Sequence, residues 1–298
     1  MKRFSILILL VLLIFVSCED SIIIETDESE DILVVDAWIN NKSESQMIRL
    51  TMSQPYFQIQ TEIGVSDALV SLVSDSNEMK EFIHQGEGVY IWTPVQGESL
   101  GEVGDNFTLI IRRGSDLYQG ISTMNRVPTV DSIVIEYKTD EFGYKDGFHA
   151  ELMARDLLGL GDTYWIKTYK DNVYLNKPEE INITFDGGFD GGAQVDGIVF
   201  IPPIRDLVNP FPDEFANGDD SEAPYASGDT IRVEIHSITL EGFQFMNIVK
   251  DQLLNGYNTI FSIPLSNTIS NMVNVSGNNK ILGFFCVSAV EFEEKIIK

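Results

Sequence analysis

The stretch ILVVDAWI at residues 32–39, followed by QMIRLTMS at residues 46–53, decides the fold class of this chain. The first run is rich in β-branched residues, which favour strands. In the second run Ile48, Leu50 and Met52 alternate with polar residues, and a period of two is typical of a strand with one buried face. These runs predict a β-rich protein.

The same alternation recurs along the chain, with glycines between the short runs. It returns in three further groups of positions: Ala68, Val70 and Leu72; Phe107, Leu109 and Ile111; and Ile231, Val233 and Ile235. Many short strands separated by turn residues favour an antiparallel sandwich. We therefore expect an immunoglobulin- or transthyretin-like β-sandwich over residues 32–128, with Pro128 at the boundary, and a second β-rich domain over residues 129–298.

One helix is predicted in the second domain, at about residues 240–254. Four apolar residues recur there at helical spacing: Phe243, Met246, Val249 and Leu253. Thr239 can cap the first turn, and Gly256 stands just past the last turn, where glycine is common. This helix is expected to pack on the sheet of the second domain.

The first eighteen residues have the pattern of a bacterial lipoprotein signal. Two basic residues precede an apolar run over residues 4–16, and Ser17 stands directly before Cys18. The apolar run is shorter than the ~20 residues needed to span a bilayer. We expect residues 1–17 to be removed as a signal peptide and Cys18 to carry acyl chains such as palmitate, which anchor a protein in a membrane. The alternatives are a plain signal peptide cut elsewhere and a short membrane anchor.

Acidic residues dominate the chain, above all in the segment after Cys18. The protein has 46 acidic and 20 basic residues, for a net charge of -26. Because no excess of cations is available to neutralise phosphates, general nucleic-acid binding is excluded and adhesion to anionic lipid is disfavoured. Residues 18–31 are interpreted as a solvated acidic tether, and the alternative is an export or partner-docking signal.

Candidate catalytic and metal-ligating residues do not converge in the sequence. The three histidines, His84, His149 and His236, are far apart, and we expect the last two to face solvent on the polar phase of their strands. No short-spaced metal motif, nucleophile elbow or phosphate-binding loop is found. Cys286 lies in an apolar run and is expected to be a buried small hydrophobic residue. The expectation is a non-catalytic protein without cofactor or metal ion.

An aspartate- and glycine-rich loop at residues 186–197 is the first of two candidate binding segments considered. Asp186, Asp190 and Asp196 offer the oxygen ligands that calcium takes. Their spacing differs from that of a known calcium loop, so a mobile hairpin tip is the preferred interpretation and calcium binding the alternative.

The second candidate segment is the acidic, proline-containing loop at residues 209–225. It carries the aromatic residues Phe211, Phe215 and Tyr225. Aromatic side chains on an exposed loop can anchor contacts, so this loop is the first candidate for binding a partner or ligand. Simple disorder is the alternative, because long irregular loops in compact domains are often disordered.

An ordered series of segments carries a resemblance to a known family. The series runs LVVDAWINN, MIRLTMSQPY, GVSDALVSL, GVYIWTP, GEVGDNFTLII and VPTVDSI within residues 33–135, and QLLNGYNTIFSIP and NKILGFF follow near the end. The whole resembles domain-of-unknown-function family 4249, outer-membrane lipoproteins of Bacteroidota often encoded beside TonB-dependent receptors. The resemblance covers nearly all of the chain after Cys18. It transfers no catalytic residue, only the lipid-bearing position that Cys18 matches.

The resemblance implies a function at the bacterial outer membrane. We expect a lipid-anchored, surface-exposed accessory protein that binds a TonB-dependent β-barrel receptor in nutrient uptake, with no nucleic-acid partner. A structural or adhesive surface lipoprotein without a transport role is the alternative. A hydrolase that uses a pair of carboxylates is the third hypothesis.

Overall fold

The protein is described here by a computed structural model over residues 31–54, 61–96, 98–139, 146–189, 196–212, 223–255 and 268–298. Within the described residues, strands account for 51% and helices for 11%, which confirms the prediction of a mostly β protein. Among the described residues, no helix is both long enough and apolar enough to cross a membrane.

The strands follow one another at short intervals, and most neighbours in sequence pair as antiparallel hairpins. The first elements are β1 (Leu33–Asn40), β2 (Gln46–Met52), β3 (Ile63–Gly64), β4 (Ala68–Ser74), β5 (Met79–Gly86), β6 (Val89–Trp92), β7 (Asn106–Arg113) and β8 (Asp116–Thr123). Next come β9 (Val130–Lys138), β10 (Gly147–Ala154), β11 (Thr163–Lys170), β12 (Val173–Tyr174), a 3-10 turn (Pro178–Glu180), β13 (Asn182–Phe185) and α1 (Pro202–Asp206). The last are β14 (Thr230–Ile238), α2 (Leu240–Asn255), β15 (Met272–Asn274), β16 (Ile281–Ser288) and β17 (Val290–Ile296).

Ten strands form one large mixed sheet that almost closes on itself. Its order is β15-β8-β7-β4-β5-β6-β2-β1-β16, and β3 pairs with β2 at the side. β1 and β16 run parallel, from Leu33 opposite Ile281 to Asn40 opposite Ser288. The two ends of the sheet meet where the Val287 N–H of β16 donates to the Ser122 hydroxyl of β8 at 2.9 Å.

The inward side chains of the large sheet form its core. The alternating residues predicted in β2, β4 and β7 point inward and are buried: Ile48, Leu50, Val70, Leu72, Phe107, Leu109 and Ile111. Leu33, Val35, Ala37 and Ile39 of β1 complete the same pattern. Removing this apolar surface from water is the main stabilising contribution to the fold.

Two smaller sheets form a second layered unit. β10 pairs with β9, while β12-β11-β14-β17, with β13 on β11, makes a five-stranded sheet. The facing side chains share a core that includes Ile133, Leu152 and Val233. The domain boundary at residue 128 stays a prediction, but the sheets themselves do not divide there, because β15 and β16 belong to the large sheet.

α2 is the predicted helix, and its first turn is capped as expected. It spans Leu240–Asn255, one residue beyond the predicted end. The Gly242 N–H donates to Thr239 Oγ1 at 3.1 Å, which satisfies one of the free donors of the first turn. The predicted C-terminal glycine, Gly256, lies outside the described residues.

Only the first half of the predicted apolar stripe of α2 is buried. Phe243 and Met246 are buried, whereas Val249 is half-buried and Leu253 is exposed. The Phe243 ring packs edge to face on Phe185, with 5.8 Å between the ring centres. The buried apolar contacts of the helix therefore lie in its N-terminal half, and Lys250 adds a hydrogen bond to the Ile181 carbonyl oxygen at 2.6 Å.

A glycine makes the parallel pairing of β1 and β16 possible. Gly283 lies opposite Val35 and has a φ of +90°, in the left-handed region. A Cβ atom at this position would lie 1.9 Å from the carbonyl oxygen of Val35. Because real Cβ atoms do not approach so closely, no side chain fits here without moving the two strands apart.

We expect Gly283→Ala to destabilise the protein more than Gly104→Ala. Both glycines have positive φ, +90° and +100°, but nothing lies within 4 Å of a Cβ at Gly104. The control should lose about 1–2 kcal/mol from backbone strain alone, and Gly283→Ala at least about 3 kcal/mol, because it adds a backbone clash. Denaturant unfolding measures both values, and equal losses would contradict the close approach of β1 and β16.

Candidate functional site

Three aspartates that are distant in sequence come together at one end of the five-stranded sheet. Asp156 follows β10, Asp162 precedes β11 and Asp186 follows β13. The antiparallel pairing of β11 with β13 places Thr163 opposite Phe185, which brings the flanking aspartates together. One carboxylate oxygen of each aspartate lies within 4.8 Å of the others. Asp156 and Asp186 are almost fully buried.

Asp156 and Asp162 belong to the loop between β10 and β11. Hydrogen bonds to Asp186 and an ion pair with Arg126 hold this loop in place. Asp186 Oδ1 accepts the N–H groups of Gly161 and Asp162 at 2.8 and 2.9 Å. Arg126 donates from Nε and Nη2 to Asp162 at 2.9 and 2.6 Å, and from Nη2 to the Gly159 carbonyl oxygen at 2.9 Å. The loop backbone is therefore held at several points.

Asp156 is a buried carboxylate close to two others. Burial raises its pKa, and the neighbouring Asp186 and Asp162 raise the pKa further. Two hydrogen bonds oppose that effect, from the Tyr164 hydroxyl to Oδ1 at 2.8 Å and from the Gly197 N–H to Oδ2 at 3.0 Å. Burial also raises the pKa of Tyr164 far above its usual range, so its hydroxyl keeps its proton and donates.

The cluster differs in membership from the aspartate loop considered in the sequence. Asp186 is grouped with Asp156 and Asp162, which come from another part of the chain. Asp196 instead accepts the Gly159 N–H at 2.8 Å, and Asp190 lies outside the described residues. The sequence signal for this cluster is weak, because only strand pairing brings the three carboxylates to one place.

The chemistry of the cluster favours support of the loop over a cation cage. Calcium takes six to eight oxygen ligands in proteins. Three carboxylates are present, and Asp162 is already paired with Arg126. The loop that they hold presents two strongly exposed leucines, Leu158 at 80% and Leu160 at 74%.

The outer face of the large sheet carries a row of exposed apolar side chains. Met47 of β2 lies opposite Ile91 of β6, which lies opposite Ile83 of β5. Leu69 of β4 continues the row, because β4 pairs with the other edge of β5. Met47, Ile83 and Leu69 are 50%, 57% and 72% exposed. These four residues are called the outer apolar row.

The outer apolar row has the character of a contact surface. Single exposed apolar residues are common on protein surfaces, whereas contiguous ones mark sites of interaction. The four residues lie on four adjacent strands of one sheet and face the same way, so they form one continuous patch. A flat apolar patch of this kind suits a protein partner more than a small polar ligand.

The predicted aromatic loop is divided between surface and core. Phe211 is 41% exposed, and its N–H donates to Glu180 Oε1 at 2.8 Å. Tyr225 is buried, contrary to its proposed place on a contact loop, because its backbone pairs with Phe148 of β10 and its hydroxyl donates to the Val208 carbonyl. Phe215 lies outside the described residues.

Two of the three histidines are buried, contrary to the prediction that they face solvent. His149 is buried on β10, on the same side of the strand as Glu151, which pairs with Arg205 of α1 at 2.8 Å. His236 lies opposite Trp165, on a face of the five-stranded sheet that packs against the large sheet. The side of each strand that carries the polar residues is therefore covered by another part of the molecule.

The other candidate reactive residues, His84 and Cys286, also lie apart from one another. His84 is half-buried on β5, and among the described residues no histidine joins a group of three metal-ligating side chains. Cys286 is buried, as predicted. Burial raises the pKa of its thiol to about 11, so the reactive thiolate does not form at neutral pH.

Glu234 is the centre of a buried ionic network between the two units. It pairs with Lys42 at 2.9 Å, with Arg232 at 3.2 Å and with His236 at 2.9 Å. Burial alone would raise the pKa of Glu234, but the hydrogen bonds from His236 and Lys42 lower it to about 2. Burial lowers the pKa of His236 to about 3, with Lys167 adding to the effect, so the neutral ring donates from Nε2.

A family comparison covers almost the whole chain. The model of the family described as domain of unknown function DUF4249 matches residues 19–294. The chain belongs to the DUF4249 family. A comparison of this DUF4249 chain with curated proteins gives no match. The resemblance read from the ordered segments is thereby confirmed.

We expect Glu234→Gln to destabilise the DUF4249 protein far more than Glu44→Gln. Both carboxylates pair with Lys42 at 2.9 Å, but the side chain of Glu234 is 1% exposed and that of Glu44 is 54% exposed. Breaking a buried network leaves uncompensated charge and should cost about 3–5 kcal/mol. The exposed pair should cost less than about 1 kcal/mol, and denaturant unfolding compares the two variants.

The same pair of variants has an expected pH dependence. The pKa of Glu234 is lowered from 4.5 to about 2 in the folded protein, so its contribution to stability is full above pH 4.5 and is lost as the pH falls towards about 2. The difference in unfolding free energy between the unchanged protein and Glu234→Gln should therefore shrink as the solution is acidified below pH 4.5. A difference that stays constant over this range would argue against the network.

Proposed function

We propose that this DUF4249 protein is a lipid-anchored, non-catalytic accessory protein at the surface of the bacterial outer membrane. Its proposed partner is a TonB-dependent β-barrel transporter, which it helps in nutrient uptake. The observation that carries the proposal is the outer apolar row, a continuous apolar patch on an otherwise acidic protein of net charge -26. Such patches mark protein contacts rather than catalysis.

The proposed anchor rests on the sequence before the described residues. An apolar run ends at Ser17-Cys18, and the family match begins at residue 19, directly after this cysteine. Acyl chains on Cys18 would hold the protein at the membrane, since each buried CH₂ contributes about 0.8 kcal/mol. The acidic tether of residues 18–31 would then connect the anchor to β1.

The proposed absence of catalysis is supported by how the titratable side chains are used. Asp186 accepts hydrogen bonds from the loop between β10 and β11, Asp156 accepts from Tyr164 and Gly197, and Asp162 accepts from Arg126. Glu234 and His236 bond to each other inside the ionic network. In the described part of the chain these side chains stabilise the fold through hydrogen bonds and ion pairs. That is the role we expect of buried carboxylates and histidines in a non-catalytic binding protein.

We also propose that the large sheet is a variant of an immunoglobulin- or transthyretin-like sandwich over residues 32–128. β5 pairs with β4 on one side and with β6 on the other, so it would join the two layers of the sandwich. The C-terminal strands β15 and β16 would complete the layers. Residues 129–298 would then form the second, helix-containing domain around the remaining sheets.

We expect a large β-barrel protein to co-purify with the tagged full-length chain from solubilised outer membranes. The double variant Leu69→Asp/Ile83→Asp places two charges in the outer apolar row and should reduce the recovered barrel at least about tenfold. Val95→Asp is the matched control, because Val95 is also 72% exposed and lies outside the row. Quantitative mass spectrometry of the eluates measures the ratio of barrel to bait.

Two outcomes of this experiment would count against the proposal. Recovery of the chain without any barrel protein would leave the structural or adhesive role as the better account. Equal loss of the barrel in Val95→Asp and in the double variant would show that the outer apolar row is not the contact surface. Thermal unfolding of all variants separates a lost contact from a lost fold.

We expect Cys18→Ala to remove the protein from the membrane fraction and to remove the mass of the acyl chains. Cys286→Ala is the matched control, because it changes the other cysteine of the chain, which is buried in the core. Cell fractionation and intact-mass measurement give the result. Membrane recovery of Cys18→Ala at the same level and size as the unchanged protein would disprove the anchor.

A further inference from the structure

A polar groove lies at the end of the large sheet where the described chain begins. Its volume is about 610 Å³, within the range of about 300–1,000 Å³ typical of small-molecule sites. The start of β1, the turn between β7 and β8, and the segment between β15 and β16 form its sides. The residues on which the argument depends are Arg113, Ser115, Asp116, Asn278 and Lys280, with Asp31 at one side.

The two loops that form one side of the groove are joined by hydrogen bonds. Asp116 accepts from the side-chain amides of Asn274 and Asn279 at 3.1 and 2.8 Å. Ser276 Oγ accepts the Leu117 N–H at 2.7 Å and is 3.2 Å from the Ser115 carbonyl oxygen. A ligand would therefore meet a surface that is already ordered, which lowers the entropic cost of binding.

Arg113 is held in the groove with part of its donor capacity unused. Its Nε donates to Asp67 at 2.8 Å and its Nη1 to the Met52 sulfur at 3.3 Å. In the described part of the chain no hydrogen bond is made by Nη2, and the side chain is 34% exposed. A guanidinium has five N–H donors and no acceptor, so the remaining donors of Arg113 are open to water or to a ligand acceptor.

Lys280 is a second cation beside the same groove. It is exposed, and no ion-pair partner is found for it across the residues that the structure describes. Two carboxylates of the groove are already engaged, Asp67 with Arg113 itself and Asp116 with the two asparagines. Arg113 and Lys280 therefore keep cationic donors that the described residues do not use, while Asp31 is a third carboxylate at the side of the groove.

We propose that this groove binds a small organic molecule through a carboxylate, which Arg113 and Lys280 hold, while Asn278 and Ser115 contact its polar remainder. A carboxylate accepts two N–H bonds from a guanidinium fork. A doubly charged phosphate is disfavoured, because Asp31, Asp67 and Asp116 line the same groove and the whole chain is strongly acidic. The site is separate from the outer apolar row and does not depend on the transporter partner.

The test compares glucuronate with glucose, two probes that share a sugar ring and differ in carrying a carboxylate or a hydroxymethyl group. Saturation-transfer NMR with the purified full-length protein in detergent measures both, with inorganic phosphate as a third probe. We expect glucuronate to bind with a Kd of about 1 mM and glucose at least about tenfold more weakly. Lys280→Gln and Arg113→Gln should each weaken glucuronate binding by about tenfold.

Arg112→Gln is the matched control, because Arg112 is exposed beside Arg113 in sequence and does not line the groove. It should bind glucuronate as the unchanged protein does. Lys280 is exposed, so its substitution leaves the fold intact and keeps the test decisive even if Arg113→Gln is unstable. The proposal would be overturned if glucose bound as well as glucuronate, or if phosphate bound more strongly. It would also be overturned if glucuronate did not bind up to about 10 mM, or if Lys280→Gln had no effect on its binding. Co-purification of the barrel is unaffected by any of these results.

Discussion

The parallel pairing of β1 with β16 is the contact on which the rest of the structure depends. It joins the first strand of the described chain to one of its last strands, in continuous register from Leu33 opposite Ile281 onwards. The inward side chains of β1 enter the core of the large sheet. On the outward face Trp38 stacks on Phe284 with 5.5 Å between the ring centres, and this aromatic surface supports the second unit. One strand pair therefore organises both units.

The contact between the two units combines aromatic packing with buried charge. Trp38 meets Trp165 edge to face, with 5.2 Å between the ring centres, and the network around Glu234 lies in the same layer. Burying ions is costly unless each charge is paired and hydrogen-bonded, and Glu234 satisfies that condition with three partners.

The sequence predicts the local structure of this protein but not its long-range contacts. Alternation predicts the strands and their inward residues, and capping predicts the start of α2, because both depend on near neighbours. Alternation cannot tell whether the polar side of a strand is covered by another part of the chain, so the burial of His149 and His236 is missed. The grouping of Asp156 with Asp186 depends on strand pairing in the same way. The continuous apolar run of β16, ILGFFCVS, does carry a signal, since strands covered on both faces lose alternation.

The position of β16 near the end of the chain governs when the large sheet can be completed. Its partner β1 comes first in the described chain. The edge of β1 that pairs with β16 stays unpaired until β16 has been made. Contacts between residues so far apart in sequence form slowly, and an unpaired strand edge is prone to wrong association while it waits. Completion of the large sheet therefore waits for β16, and β1 keeps an open edge until that strand is present.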